Sequence, residues 1–133
     1  MYLLDSNVLV ELLLQQDNAD QVEELLSDST INNLHLTDFA LHSISVILIR
    51  YKLYDLLSSL ISDIQSSDRI RIIQLDLSCF PNIISAVKRY NLDFDDAYQY
   101  VAAEKHNLTI VSFDKDFDRT DRGRKIPSEV LQG

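Results

Sequence analysis

The sequence predicts an α/β fold: a three-layer α/β/α sandwich around a central, mostly parallel sheet of four to five strands. Three observations predict it. Short apolar runs at residues 2–4, 34–37, 69–75 and 108–113 alternate with longer stretches whose apolar residues recur at helical spacing. Such alternation requires right-handed crossovers, which make the strands parallel. Only two Gly and two Pro interrupt the 133 residues, which suits short connections rather than long irregular loops.

Each element carries its own signal. Tyr2-Leu3-Leu4 reads as a short buried strand. Ser6 and Asn7 are suited to cap the helix that follows over residues 6–16, because their side-chain oxygens accept from its free N–H groups. Leu9, Leu12 and Leu13 share one face of it, and Val22, Leu25 and Leu26 stripe a second helix at 20–26 after a break at Asp17-Asn18. Asn32-Asn33 marks a turn before the alternating strand Leu34-His35-Leu36-Thr37. Thr37 or Asp38 then caps a helix reaching about Ile49, with Leu41, Ile44, Ile47 and Leu48 as its stripe. Residues 54–64 form another amphipathic helix, so a long helical insertion separates the second and third strands.

Ile70, Ile72 and Ile73 give the third strand its β-branched character. Pro81 belongs in the first turn of a helix, where its missing N–H costs nothing, and that helix ends near Asn91. Asp93 or Asp95 caps the next helix, which turns Ala97, Tyr100 and Val101 inward and stops at His106-Asn107. Leu-Thr-Ile-Val-Ser-Phe is the fourth strand, ended by Asp114, and a last short strand or extended tail is expected at 126–131. With no repeat, linker or low-complexity stretch, residues 1–133 read as one domain.

Composition narrows the class. Hydrophobic residues at 46% and charged residues at 25% are ordinary for a globular protein. Cys79 is the one cysteine, so no internal disulfide forms and a reducing compartment is expected. No basic segment precedes the first strand, and no apolar run reaches the ~20 residues of a membrane span. A cytoplasmic protein without a membrane partner is the expectation. A net charge of −9 argues against non-specific capture of nucleic acid by the whole surface. Locally, Lys115, Arg119, Arg122, Arg124 and Lys125 place five of the 12 cations within eleven residues, interleaved with Asp116, Asp118 and Asp121. A run of mixed sign is most often a solvated polar loop.

The chemistry lies in the acids. Asp5 ends the first strand, Asp95-Asp96 opens the helix before the fourth strand, and Asp114, with Asp116 two residues on, ends that strand. Singly, each is explained as a strand-end turn or a helix-terminus complement. Together they point to one crevice, because open α/β sheets gather ligands at the carboxyl edge of their strands. If the first and fourth strands are neighbours, Asp5 and Asp114 face the same hollow and Asp96 overhangs it. Crowded carboxylates repel, and one must keep its proton unless a cation intervenes. Hard oxygen donors suit Mg²⁺ or Mn²⁺, which polarises a phosphoryl oxygen and lowers the pKa of a bound water. Such an ion also lets an acidic protein hold a polyanion.

Leu3-Leu4-Asp5-Ser6-Asn7-Val8-Leu9, Leu92-Asp93-Phe94-Asp95-Asp96-Ala97 and Ile110-Val111-Ser112-Phe113-Asp114-Lys115-Asp116-Phe117 together resemble the three acidic motifs of the PIN-domain family. The commonest small members of that family are toxins of the VapC type. The resemblance runs from Met1 to about Leu131. It implies a metal-dependent ribonuclease with Asp5, Asp96 and Asp114 as the primary carboxylates around Mg²⁺ or Mn²⁺. It implies Asp116 as a further ligand or supporting group, and 5′-phosphate and 3′-hydroxyl products. It places Ser112 near the scissile phosphate and Asn7 in support of Asp5, with Asp95 beside the site. It further implies an RNA substrate drawn along the Lys115–Lys125 cluster, an antitoxin protein as partner, and a homodimer.

One departure stands out. The family usually carries a Glu on the helix after the second strand, and the matching position here is Ser43, beside His42; the nearest acid is Asp38. Losing that carboxylate weakens metal binding, shifts the metal preference or removes activity. Two readings therefore stand: a metal-dependent endoribonuclease, or a PIN-like module that binds RNA or protein with weak or no catalysis. Phosphoryl transfer through an aspartyl intermediate fits less well, since no Asp-x-Asp follows the first strand.

Overall fold

The computed structural model describes residues 1–132. Its middle layer is an all-parallel sheet of four strands in the order β3-β2-β1-β4. These are β1 (Tyr2–Leu4), β2 (Leu34–Thr37), β3 (Ile70–Ile73) and β4 (Thr109–Val111). Helices α1 (Ser6–Leu13) and α2 (Ala19–Ser27) connect β1 to β2, and α3 (Asp38–Arg50) and α4 (Tyr54–Ser66) connect β2 to β3. A 3₁₀ turn (Leu77–Cys79), α5 (Phe80–Tyr90) and α6 (Phe94–His106) lead to β4. A second 3₁₀ turn (Lys115–Arg119) and α7 (Pro127–Gln132) close the described chain.

Alternation along the central strands builds two cores. Leu3 and Ile110 face one side, where they meet Ala97, Val101 and Ala102 of α6 and Ile83 of α5. Leu4 and Val111 face the other, against Val8 and Leu9 of α1, Val22 of α2 and Ile44 of α3. Strands buried on both faces are what parallel sheets require. The three-layer α/β/α sandwich read from the sequence is therefore the observed one, with four strands, within the four to five expected.

Two local expectations are corrected. The residue capping α1 is Asp5, with Ser6 and Asn7 inside the first turn, and no side chain completes the cap. Asp5 thereby keeps its carboxylate for tertiary partners. The expected strand or tail at 126–131 is the helix α7: Pro127 opens it, and Glu129 Oε1 accepts from the Ile126 N–H at 3.0 Å. A single parallel bridge between Val111 and Lys125 is what remains of a fifth strand. The two helices between β3 and β4, α5 and α6, end as expected in local caps, with Asn91 and Asn107 in the left-handed region at φ 54° and 53°.

Candidate functional site

The sheet order sets the site. With β1 and β4 adjacent and in register, Leu4 opposite Val111, the residues just beyond both strands emerge side by side. Asp5 lies there, its N–H donating to Val111 O at 2.9 Å. Asp114 follows β4 and starts the second 3₁₀ turn, where its Oδ1 accepts from the Asp116 N–H at 2.8 Å. Phe117, fully buried, pins that turn to the core below α6. Asp93 caps α6, its Oδ1 accepting from the Asp96 N–H at 3.0 Å, and this swings Asp95 and Asp96 over the strand ends.

The result is a cavity of about 190 Å³ bordered by Asp5, Asn7, Ser43, Asp93, Asp95, Asp96, Gln99 and Asp114, without a Lys, Arg or His. One carboxylate oxygen from each of Asp96, Asp114 and Asp116 lies within 4.8 Å of the other two. Asp116 also faces Arg119 at 3.4 Å across a half-exposed pair. A larger cavity of about 290 Å³ lies elsewhere; leucines of α1, α2 and α4 dominate its lining.

Electrostatics in the acidic cavity are strained. Burial, joined by the charges of Asp114, Asp93 and Asp5, pushes the Asp96 carboxyl up to about 8. Asp5, 6% exposed, is also raised, first by burial, although the Ser112 hydroxyl opposes the shift. Asp95 is raised by burial and by Asp93. Asp96 Oδ2 is buried without a hydrogen-bond partner among the described residues. An orphaned carboxylate oxygen costs about 1–3 kcal/mol or more, and a divalent cation among such oxygens is the counter-charge that relieves it. The donor set is all hard oxygen, which fits Mg²⁺ or Mn²⁺.

The supporting residues differ in position from their sequence reading. Ser112 is fully buried and donates to Asp5 Oδ2 at 2.7 Å, so its hydroxyl faces Asp5 rather than the open cavity. Asn7 reaches Asp5 only through it, donating to Ser112 Oγ at 3.2 Å and accepting from the Phe113 N–H at 3.3 Å. Ser43 lines the cavity, at the position where the resembled family usually carries a Glu, while His42 is exposed and outside it. Asp38 lies outside as well, accepting from the Tyr98 hydroxyl at 2.8 Å. Two residues were not singled out for the site. Asp93 is expected from the sequence only to cap, and nothing in the sequence motifs marks Gln99. Gln99 donates from Nε2 to Asp5 Oδ1 at 2.7 Å. The signal for it was there: Gln99 is three residues after Asp96, on the same helix face.

The basic cluster is largely committed to the fold. Arg119 donates to Tyr90 O and Asn91 O, Arg122 to Asn107 Oδ1 and Leu108 O, and Arg124 to Ser112 O and to Asp118. Lys115 and Lys125 are exposed, with no ion pair among the described residues.

Comparison with known proteins agrees with this geometry. The family model described as PIN domain matches residues 2–123. No curated protein sequence matches the chain. Among solved structures, a toxin–antitoxin complex from Klebsiella pneumoniae matches with a TM-score of 0.73 at 19% identity, over 96% of this chain and 98% of that one. VapC20 of Mycobacterium tuberculosis, a Sarcin-Ricin loop cleaving toxin, matches with a TM-score of 0.75 at 15% identity, over 89% and 93%. FitAcB from Neisseria gonorrhoeae matches with a TM-score of 0.73 at 22% identity, over 96% and 99%. At these identities the likeness is one of fold. No helix among the described residues is long and apolar enough to cross a membrane.

Proposed function

The chain belongs to the PIN-domain family, and from that premise we propose that it is a Mg²⁺- or Mn²⁺-dependent endoribonuclease, the toxin of a toxin–antitoxin pair. The observation that carries the reading is the cavity where Asp5, Asp96 and Asp114 converge without a basic residue and leave a buried oxygen of Asp96 unpartnered. Asp5, Asp96 and Asp114 hold the cation and Asp116 supports it; when bound, the ion polarises a phosphoryl oxygen and activates water for in-line attack. The chain's own residues do the rest. Ser112 and Gln99 lock the Asp5 carboxylate from both oxygens, and Asn7 locks Ser112 in turn. Asp96, held protonated in the metal-free cavity by burial and by its acidic neighbours, would give up that proton on binding the cation. Cleavage leaves a 5′-phosphate and a 3′-hydroxyl.

A protein partner that covers the acidic cavity is the natural inhibitor of such a site, which is the antitoxin part of the proposal. A homodimer and a cytoplasmic, single-domain protein complete it. Ser43 favours one competing reading, a PIN-like RNA- or protein-binding module with little catalysis, because a carboxylate is missing from the cavity wall. Incubation of single-stranded RNA with the protein and Mn²⁺ separates the two. We expect cleavage that chelation abolishes and that Asp5→Asn or Asp114→Asn lowers at least 100-fold, the order expected when transition-state charge stabilisation is lost. Cleavage that survives both substitutions would remove this cavity from the chemistry.

A further inference from the structure

Gln99 is an unusual occupant of an acidic cavity. It is 4% exposed and lines the cavity beside Asp5 and Asp96. Its Nε2 donates to Asp5 Oδ1 at 2.7 Å, and this bond fixes which way the amide faces: the reversed amide would set oxygen against carboxylate oxygen. The amide oxygen is therefore directed away from Asp5. There it is buried, with no hydrogen-bond partner among the described residues. Two residues bordering the cavity, Gln99 and Asp96, thus each carry a buried orphaned acceptor, Oε1 and Oδ2, and no cationic side chain borders the cavity to meet either. Orphaned acceptors of this kind are rare in folded proteins and call for a donor or a cation.

We propose that Gln99 Oε1 is an oxygen ligand of the divalent cation, a neutral replacement for the carboxylate that Ser43 leaves out of the cavity wall. This rests on the reading that the cavity binds a cation. Side-chain amide oxygens are ordinary ligands of hard divalent ions, so the chemistry needs no adaptation of the metal. Gln99 then does two jobs with one group: its N–H orients Asp5, and its oxygen joins the coordination sphere. The cavity keeps the number of oxygen donors while carrying one negative charge fewer, which lowers the repulsion among Asp5, Asp96 and Asp114 in the absence of the ion.

The two jobs are separated by substitution, read through Mn²⁺ affinity rather than activity. Free Mn²⁺ is titrated by electron paramagnetic resonance against wild type, Gln99→Leu and Gln99→Glu. Circular dichroism in chelator checks that each variant is folded. Glu keeps the oxygen and adds charge but cannot donate to Asp5; Leu has neither function. We expect wild type to bind Mn²⁺, Gln99→Leu to bind at least tenfold more weakly, and Gln99→Glu to bind about tenfold more tightly. Equal weakening in both variants would show that Gln99 acts only as a donor to Asp5 and overturn the proposal. So would unchanged affinity in Gln99→Leu. If Gln99→Leu does not fold, Gln99→Glu decides alone, weakened binding overturning the proposal. A wild type that binds no Mn²⁺ sinks the cation reading itself, and this inference with it.

Discussion

Asp96 carries the sharpest consequence at the scale of one residue. Its carboxyl is raised from 3.8 to about 8, so between those values the folded chain holds a proton that the unfolded chain has released. Linkage then makes the metal-free protein lose stability as pH rises through that window and level off above it. A cation needs the ionised form, so stabilisation by Mn²⁺ should grow with pH over the same range. Thermal midpoints measured across that range, in chelator and in Mn²⁺, should diverge as pH rises, and Asp96→Asn should reduce both the slope and the divergence, leaving the smaller slope that the raised Asp5 and Asp95 contribute. Parallel curves for the wild type would mean that Asp96 does not face the ion. The acids themselves were legible in the sequence because strand ends and helix starts mark them. Gln99 was not, since its meaning comes from Asp5, 94 positions away, and from an amide oxygen left without a partner. Ser112 was legible as a residue but not in its orientation, which depends on how β1 and β4 pair.

Among the elements, the 3₁₀ turn at Lys115–Arg119 holds the site to the fold. Asp114 and Asp116 are on its exposed side and Phe117 beneath it, with no accessible surface at all. Phe117→Ala should cost about 3–5 kcal/mol in urea unfolding, the usual range for emptying a buried aromatic site. It should also weaken Mn²⁺ binding, because the turn that spaces Asp114 from Asp116 loses its anchor. Lost stability with unchanged affinity would show the turn to be held by its own hydrogen bonds alone. The sequence pointed to this Phe only as part of a motif; its burial explains why an aromatic follows the acids. Elements with a long apolar stripe were read well, and short ones were not. The strand expected at 108–113 shrinks to Thr109–Val111 because Ser112 and the residues after it turn toward Asp5 and α1. The strand or tail expected at 126–131 is a helix because Pro127 sits at its start, where its missing N–H costs nothing.

For the whole molecule, charge decides how the proposed RNA substrate would be held. At a net charge of −9, the protein gains little from bulk attraction, and three of the five cations in the 115–125 cluster are tied to backbone carbonyls or to Asp side chains. Those arginines join the second 3₁₀ turn and the segment after it to the ends of α5, α6 and β4, so releasing them toward phosphate would cost the fold its local ties. Lys115 and Lys125 remain for phosphate contacts. Each phosphate neutralised on a single strand contributes about −0.7 to the slope of log affinity against log salt. Single-stranded RNA bound in chelator, where the proposed metal-dependent cleavage is stopped, should therefore show a slope of about −1.4, against about −3.5 if all five cations engaged. Fluorescence anisotropy over a salt series measures it. Lys115→Ala combined with Lys125→Ala should flatten the slope further, while Arg122→Ala should leave it unchanged and lower the thermal midpoint instead. A steep slope in the wild type would mean that the arginines leave their carbonyls for RNA, and that the cluster is a binding surface before it is a brace.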